Sequence, residues 1–148
     1  MALRLQPGDQ APDFELPGTL GVVRLSELTC KGKALVAFYT EDATPLCSTQ
    51  LTSFKDEFET LTDLGVQVIA ISADDLDSHQ RFAEILGGLP FPLASDGSLE
   101  AARWYGVVDD SGRRSRRAVF VVGEDGKLLH ANIFYNPGNP SQYAEIFT

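Results

Sequence analysis

The sequence predicts an α/β fold, a mixed central sheet covered by helices on both faces. Three observations carry that expectation. Leu35-Val36-Ala37-Phe38-Tyr39, Val66-Gln67-Val68-Ile69-Ala70-Ile71 and Ala118-Val119-Phe120-Val121-Val122 are apolar, β-branched or aromatic runs of the kind found in interior strands. Between them, Leu51, Phe54, Phe58 and Leu61 recur at helical spacing, as do Phe82, Ile85 and Leu86, so each stretch presents one apolar face. Alternating strands and helices of this type pack as a sheet between helical layers.

Length and composition bound the rest. A chain of 148 residues with 43% hydrophobic content suits one domain spanning residues 1–148 with a substantial core. The formal charge of -9 argues against nucleic acid and against an anionic membrane surface as main partners. No apolar segment reaches the roughly 18 residues of a membrane span, and Met1-Ala2-Leu3-Arg4 is not followed by a signal-peptide core. The expected location is cytoplasmic, where two cysteines read as reduced thiols rather than as a disulfide framework.

In order along the chain, Gly8-Asp9-Gln10-Ala11-Pro12-Asp13-Phe14-Glu15-Leu16 reads as a turn feeding a short strand with Phe14 and Leu16 on one face. Residues 18–25 read as a small hairpin, and Ser26-Glu27-Leu28 as a helical turn. The apolar strand ending in Tyr39 follows, then the polar turn Thr40-Glu41-Asp42-Ala43. Thr44-Pro45 is a helix start signal, a hydroxyl to cap free amides and then a residue whose missing N–H costs nothing at the first helical position. That helix is expected over residues 45–63, with Gly65 as its breaker. The strand over 66–72 is followed by Asp74 or Asp75 as a cap for the next helix. Residues 89–96 form a short extended segment, residues 99–105 a helix stopped by Gly106, and Trp104 is expected in the packing. Glu124-Asp125-Gly126-Lys127 is a turn between the strand over 118–122 and a last one over 128–134. A short helix follows Pro140.

Cys47 falls in the first turn of the helix that begins at Pro45. Unpaired backbone N–H groups and the positive end of the helix dipole favour a thiolate there. An ordinary thiol titrates near pH ~8.5, and such surroundings bring it to ~7 or lower. The bland alternative is a small apolar residue under a helix start; the Thr-Pro-x-Cys context after a buried strand favours the reactive reading, because it accounts for both cap and thiolate.

Phe38-Tyr39-Thr40-Glu41-Asp42-Ala43-Thr44-Pro45-Leu46-Cys47 resembles the active-site loop of the peroxiredoxins, spaced Pro-x-x-x-Thr-x-x-Cys. It is most similar to the bacterioferritin comigratory protein, or peroxiredoxin Q, branch, which often carries Gln at the position of Gln50. Gly8 to Leu16, Ile71-Ser72-Ala73-Asp74, Ser78-His79, Phe91-Pro92-Leu93-Ala94-Ser95-Asp96 and Tyr105-Gly106-Val107 are similar to further family segments, so the resemblance covers residues 8–134. It implies the thioredoxin-like fold in its peroxiredoxin form. It also implies a thiol-dependent peroxidase that reduces hydrogen peroxide and small organic hydroperoxides through Cys47 as a sulfenic acid. Thr44 and Arg117 match the family's other catalytic residues; Phe38, Thr40, Pro45 and Gln50 are the implied pocket positions. Thr40 stands where the family has its Pro, whose ring shields the thiolate from water.

The remaining polar residues have plainer readings. Arg113-Arg114-Ser115-Arg116-Arg117 is the only basic run; Arg113, Arg114 and Arg116 read as a solvated loop, whereas Arg117 directly precedes the strand over 118–122 and suits a guanidinium that lowers the thiol pKa and holds a peroxide oxygen. His79, with polar neighbours on its helix, reads as a surface or packing residue. Cysteines and histidines at 30, 47, 79 and 130 match no compact zinc pattern, so no metal and no other cofactor is expected.

Many relatives supply a second, resolving cysteine, which in the peroxiredoxin Q branch often lies five residues after the first; here that position is Thr52. Cys30 precedes the strand whose far end carries the loop, and ~7 residues at ~3.3 Å each separate those ends by ~23 Å, against the ~7 Å between Cα atoms that a disulfide tolerates. No resolving cysteine is therefore expected, and an external thiol such as thioredoxin, glutaredoxin or a low-molecular-weight thiol is the implied reductant. A disulfide reductase would want Cys-x-x-Cys, which the loop lacks. A peroxide sensor, or a noncatalytic thioredoxin-like interaction domain, are the other readings of the same residues.

Overall fold

A computed structural model describes residues 5–146. Its centre is a five-stranded sheet built from β3 (Lys33–Phe38), β4 (Val66–Ser72), β5 (Leu93–Ser95), β6 (Ala118–Val122) and β7 (Leu128–Asn132) in the order β5-β4-β3-β6-β7. β3 runs parallel to β4 and β4 to β5, while β3–β6 and β6–β7 are antiparallel. The sheet is mixed, as the alternation of elements predicts, and the long apolar runs are its three middle strands. A separate two-stranded sheet pairs β1 (Glu15–Leu16) with β2 (Val23–Arg24). The hairpin is thus wider than residues 18–25. Its connection lies along the edge of β5, where Thr19 N–H donates to Leu93 O at 3.0 Å and Ser95 N–H donates to Pro17 O at 2.8 Å.

Strand alternation divides the core into two layers. Val36, Phe38, Ile69, Ile71, Phe120 and Val122 face one side, beneath α1 (Leu25–Thr29) and α5 (Glu100–Trp104). Leu35, Ala37, Tyr39, Val68, Ala70, Val119 and Val121 face the other, beneath α2 (Pro45–Asp56), α3 (Phe58–Asp63) and α4 (Leu76–Ile85). The short α6 (Pro140–Glu145) follows β7. Burying both faces of a middle strand explains why its sequence is continuously apolar rather than alternating.

Two local expectations change, and a third is decided between its alternatives. The helix expected over 45–63 is divided at Glu57 (φ -97, ψ 6). Its bonds still bracket the break, Glu57 N–H to Ser53 O and Leu61 N–H to Glu57 O, so the periodicity of Leu51, Phe54 and Leu61 runs through it and all three are buried. Trp104, expected in the packing, is 47% exposed; the adjacent Ala101 and Ala102 take the inward positions of α5. Asp75, one of the two expected caps, accepts from Ser78 N–H at 2.8 Å.

Candidate active site

The loop that leaves β3 and the segment that enters β6 meet because of strand register. Ala118 pairs with Phe38, so Arg117, one residue earlier, lies level with the start of the loop. The loop itself passes through Ala43 at φ 62, a left-handed conformation that costs a non-glycine residue free energy. Thr44 then takes extended dihedrals (φ -86, ψ 149) as the N-cap and Pro45 begins α2. This fulfils the helix start signal in backbone terms, but the Thr44 side chain does not cap an amide: its hydroxyl donates to Glu41 O at 3.2 Å. The hydroxyl is turned back into the loop.

Cys47 sits in the first turn of α2 and is 0% exposed. Two groups from different elements converge on its sulfur, Thr40 Oγ1 at 3.2 Å and Arg117 Nη1 at 3.4 Å. Burial alone pushes the thiol pKa up. The Thr40 and Thr44 hydroxyls, the Arg117 guanidinium and a backbone hydrogen bond from Glu41 outweigh it and hold the thiol below its ordinary value, because each favours the charged form. The shift runs in the direction that enriches the nucleophile.

The other pocket positions divide. Pro45 is exposed at the helix start. Gln50 is buried one turn beyond Cys47 and donates through Nε2 to Phe38 O at 3.4 Å, while its Oε1 has no partner among the described residues. Phe38 contributes that carbonyl; its ring lies in the opposite layer, 5.5 Å from Tyr105 and 5.9 Å from Phe120. Strand alternation gives the Cys47 side of the sheet to Tyr39 instead. Arg114, expected in solvent, pairs with Glu41 of the loop, and Arg116 pairs with Asp110 at 2.9 Å and lies 5.3 Å from the Phe134 ring centroid. Cys30 is exposed at the end of α1, before β3.

Sequence reasoning misses what stands behind the loop. His79 is 0% exposed, not a surface residue: Nδ1 lies 2.8 Å from Asp42 Oδ2 and Nε2 lies 3.0 Å from Ala94 O. A signal was present, since His79 falls three residues before buried Phe82 on the inward face of α4. Asp42, Asp74 and His79 offer ligand atoms within 4.8 Å of one another, the geometry a cation would need. Those atoms are engaged by protein donors and acceptors, however: both Asp42 oxygens and both His79 nitrogens have partners, and Asp74 Oδ2 takes Asp42 N–H and the Ser72 hydroxyl. The donor set is that of a hydrogen-bond network. Among the described residues, no helix is long and apolar enough to cross a membrane.

A thioredoxin-like sheet that holds a buried, activated thiol at a helix start defines a cysteine-based redox enzyme. The profile of the AhpC/TSA family matches residues 7–131, and the chain belongs to that family, the peroxiredoxins, whose members are thiol-dependent peroxidases. Among its relatives, YkuU of Bacillus subtilis (strain 168), a peroxiredoxin by name, is 33% identical over 87% of this chain and 78% of its own length. The protein bcp of Coxiella burnetii, also a peroxiredoxin by name, is 34% identical over 85% and 87%. The crystal structure of the peroxidoxin BcpB from Mycobacterium tuberculosis superposes with a TM-score of 0.87 at 27% identity, covering 97% of this chain and 94% of that one. The Coxiella and Mycobacterium proteins carry the name of the bacterioferritin comigratory protein branch inferred from the loop.

Proposed function

We propose that Cys47 reduces hydrogen peroxide and small organic hydroperoxides by a one-cysteine route. The thiolate attacks one peroxide oxygen, an S–O bond forms as the O–O bond breaks, and the departing hydroxide, or alkoxide from an organic hydroperoxide, takes a proton to leave as water or alcohol. Cys47 is oxidised by two electrons to a sulfenic acid and the peroxide is reduced. The Thr44 hydroxyl, its proton on Glu41 O, accepts a hydrogen bond from the peroxide O–H through its oxygen. Arg117 balances the charge that develops as the O–O bond lengthens. Thr40, in the place of a proline ring, donates to the sulfur and favours its thiolate, a role a proline side chain lacks.

An external thiol then condenses with the sulfenic acid, releasing water, and a second thiol reduces the mixed disulfide. A protein dithiol such as thioredoxin, a glutaredoxin and a low-molecular-weight thiol all meet that chemistry. Cys30 does not serve in the same chain, because the six residues of β3 put about 20 Å between its ends at ~3.3 Å each. The protein acts as one domain in the cytoplasm, where such thiols are kept reduced.

The observation that carries this reading is the convergence of Thr40 and Arg117 on Cys47 Sγ from two elements. The test is intact mass after one equivalent of hydrogen peroxide, with a sulfenic-acid trap, on wild type, Cys47→Ser and Cys30→Ser. Trapping that needs Cys47 and not Cys30 is the expected result. Loss of two hydrogens that needs both cysteines would overturn the one-cysteine route. No reaction at Cys47 would leave a redox-inactive interaction domain.

A further inference from the structure

The loop that carries Thr40 and Thr44 is held from behind by a buried network that takes no direct part in peroxide reduction. The Asp42 carboxylate accepts from the Tyr39 hydroxyl at 2.6 Å, from the Ser78 hydroxyl at 2.7 Å and from His79 Nδ1 at 2.8 Å. His79 Nε2 donates to Ala94 O on β5 at 3.0 Å. Asp42 and His79 thus make a buried hydrogen-bonded pair, with side chains 5% and 0% exposed. The Asp42 backbone N–H adds a bond to Asp74 Oδ2 at 2.9 Å.

A fully bonded buried polar network of this kind serves chiefly to fix geometry. The geometry fixed here is that of residues 40–44. Asp42 is the middle residue of this segment, and Ala43 beside it sits at φ 62, a conformation that persists only where the surroundings over-determine it. Asp42 supplies that constraint from β3, α4 and the β4–α4 turn at once. Tyr39 extends it: its carbonyl accepts from the Ser115 hydroxyl at 2.7 Å, and Ser115 is buried two residues before Arg117. Both groups that touch Cys47 Sγ thus hang from one polar network.

We propose that Asp42 and His79 are positioning residues for the peroxidase reaction, setting the placement of the Thr40 and Thr44 hydroxyls about Cys47 and through it the reactivity of the thiolate. This rests on the role of Cys47 given above. The titratable groups facing the pair are Tyr39, directly after β3, and Asp74, from the turn before α4; both remain in every variant of the test.

In a Cys30→Ser background, the pH midpoint of Cys47 alkylation by iodoacetamide and the second-order rate with hydrogen peroxide are measured for wild type, Asp42→Asn, His79→Gln and Ser78→Ala, alongside circular dichroism and Tm. Ser78→Ala removes one partly exposed donor and so tests the network without leaving a buried charge unpaired. The expected result is folded protein in which the midpoint rises and the peroxide rate falls, about tenfold for Asp42→Asn and His79→Gln and about two- to threefold for Ser78→Ala. A merely structural role lowers Tm and leaves midpoint and rate unchanged in folded protein, and that outcome overturns the proposal. If wild type itself reacts with peroxide no faster than a free thiol, the peroxidase reading fails while the alkylation midpoints still decide the positioning role.

Discussion

A cysteine lies beyond each end of β3, and the two surroundings have little in common. At its N-terminal end Cys30 closes α1, exposed, with its backbone N–H on Ser26 O at 3.3 Å. The turn there solves a packing problem: a Cβ on Gly32 would overlap the carbonyl oxygen of Gly65, which accepts from Lys33 N–H at 3.0 Å. At the C-terminal end Cys47 is closed off from solvent and has a hydroxyl and a guanidinium on its sulfur. The difference teaches that a thiol's chemistry is set by the donors that converge on it. Burial alone would have made Cys47 the less reactive of the two.

The largest effect that would sharpen this comparison comes from Arg117→Met, which removes the fixed charge and keeps the stem. The second-order rate with hydrogen peroxide, followed by stopped-flow fluorescence, should fall by about 10²–10³-fold, as when one donor to a developing anion is lost. A fall of less than about fivefold would break the claim that the guanidinium matters at the sulfur. Thr40→Val conserves shape and deletes the hydroxyl. One charge-assisted bond predicts a loss of about tenfold or more, with a higher pH midpoint for alkylation; an unchanged midpoint would mean that Thr40 only fills space.

Acid offers a third way in, through the loop alone. Burial pushes the Asp42 carboxyl up, but bonds from His79, Tyr39 and Ser78 hold it below its ordinary value. A folded-state pKa below the unfolded one adds stability that is full above the ordinary carboxylate value of about 3.9 and is lost as pH falls through the folded value. Urea midpoints of wild type and Asp42→Asn should therefore keep a constant gap above about pH 5 and converge as pH falls below about 3.9, and a gap that stays constant into acid would contradict the shift. The smallest effect is expected at the other end of β3. Cys30→Ser should leave the peroxide rate within about twofold and Tm nearly unchanged, as exposed substitutions do; a dependence of turnover on Cys30 would dissolve the contrast.

Much of this was legible in the chain because the informative segments are local. Continuous apolar runs located β3, β4 and β6, and Thr44-Pro45 placed Cys47 in a first turn. Arg117 could be singled out from its four neighbours because a buried strand begins directly after it. The His79 network was not legible, since its bonds join Asp42 to residues 36 and 37 positions away and no local pattern encodes such a closure. The resemblance implies a pocket place for Phe38, yet strand alternation turns its ring to the far layer. The Thr44 hydroxyl went to Glu41 O because the left-handed Ala43 turns the chain just before it.

The sulfur of Cys47 belongs to the same packed layer as Leu51, Phe54 and Phe82. On the role proposed for Cys47, each catalytic cycle adds an oxygen atom to a close-packed interior and then removes it. Inserting an atom into a well-packed core typically costs about 1–3 kcal/mol, so the enzyme that has just consumed a peroxide is the less stable of its two redox forms. Thermal denaturation becomes a gauge of occupancy by oxidant, and in a mixed population, proteases that sample opened chains would remove the oxidised molecules first.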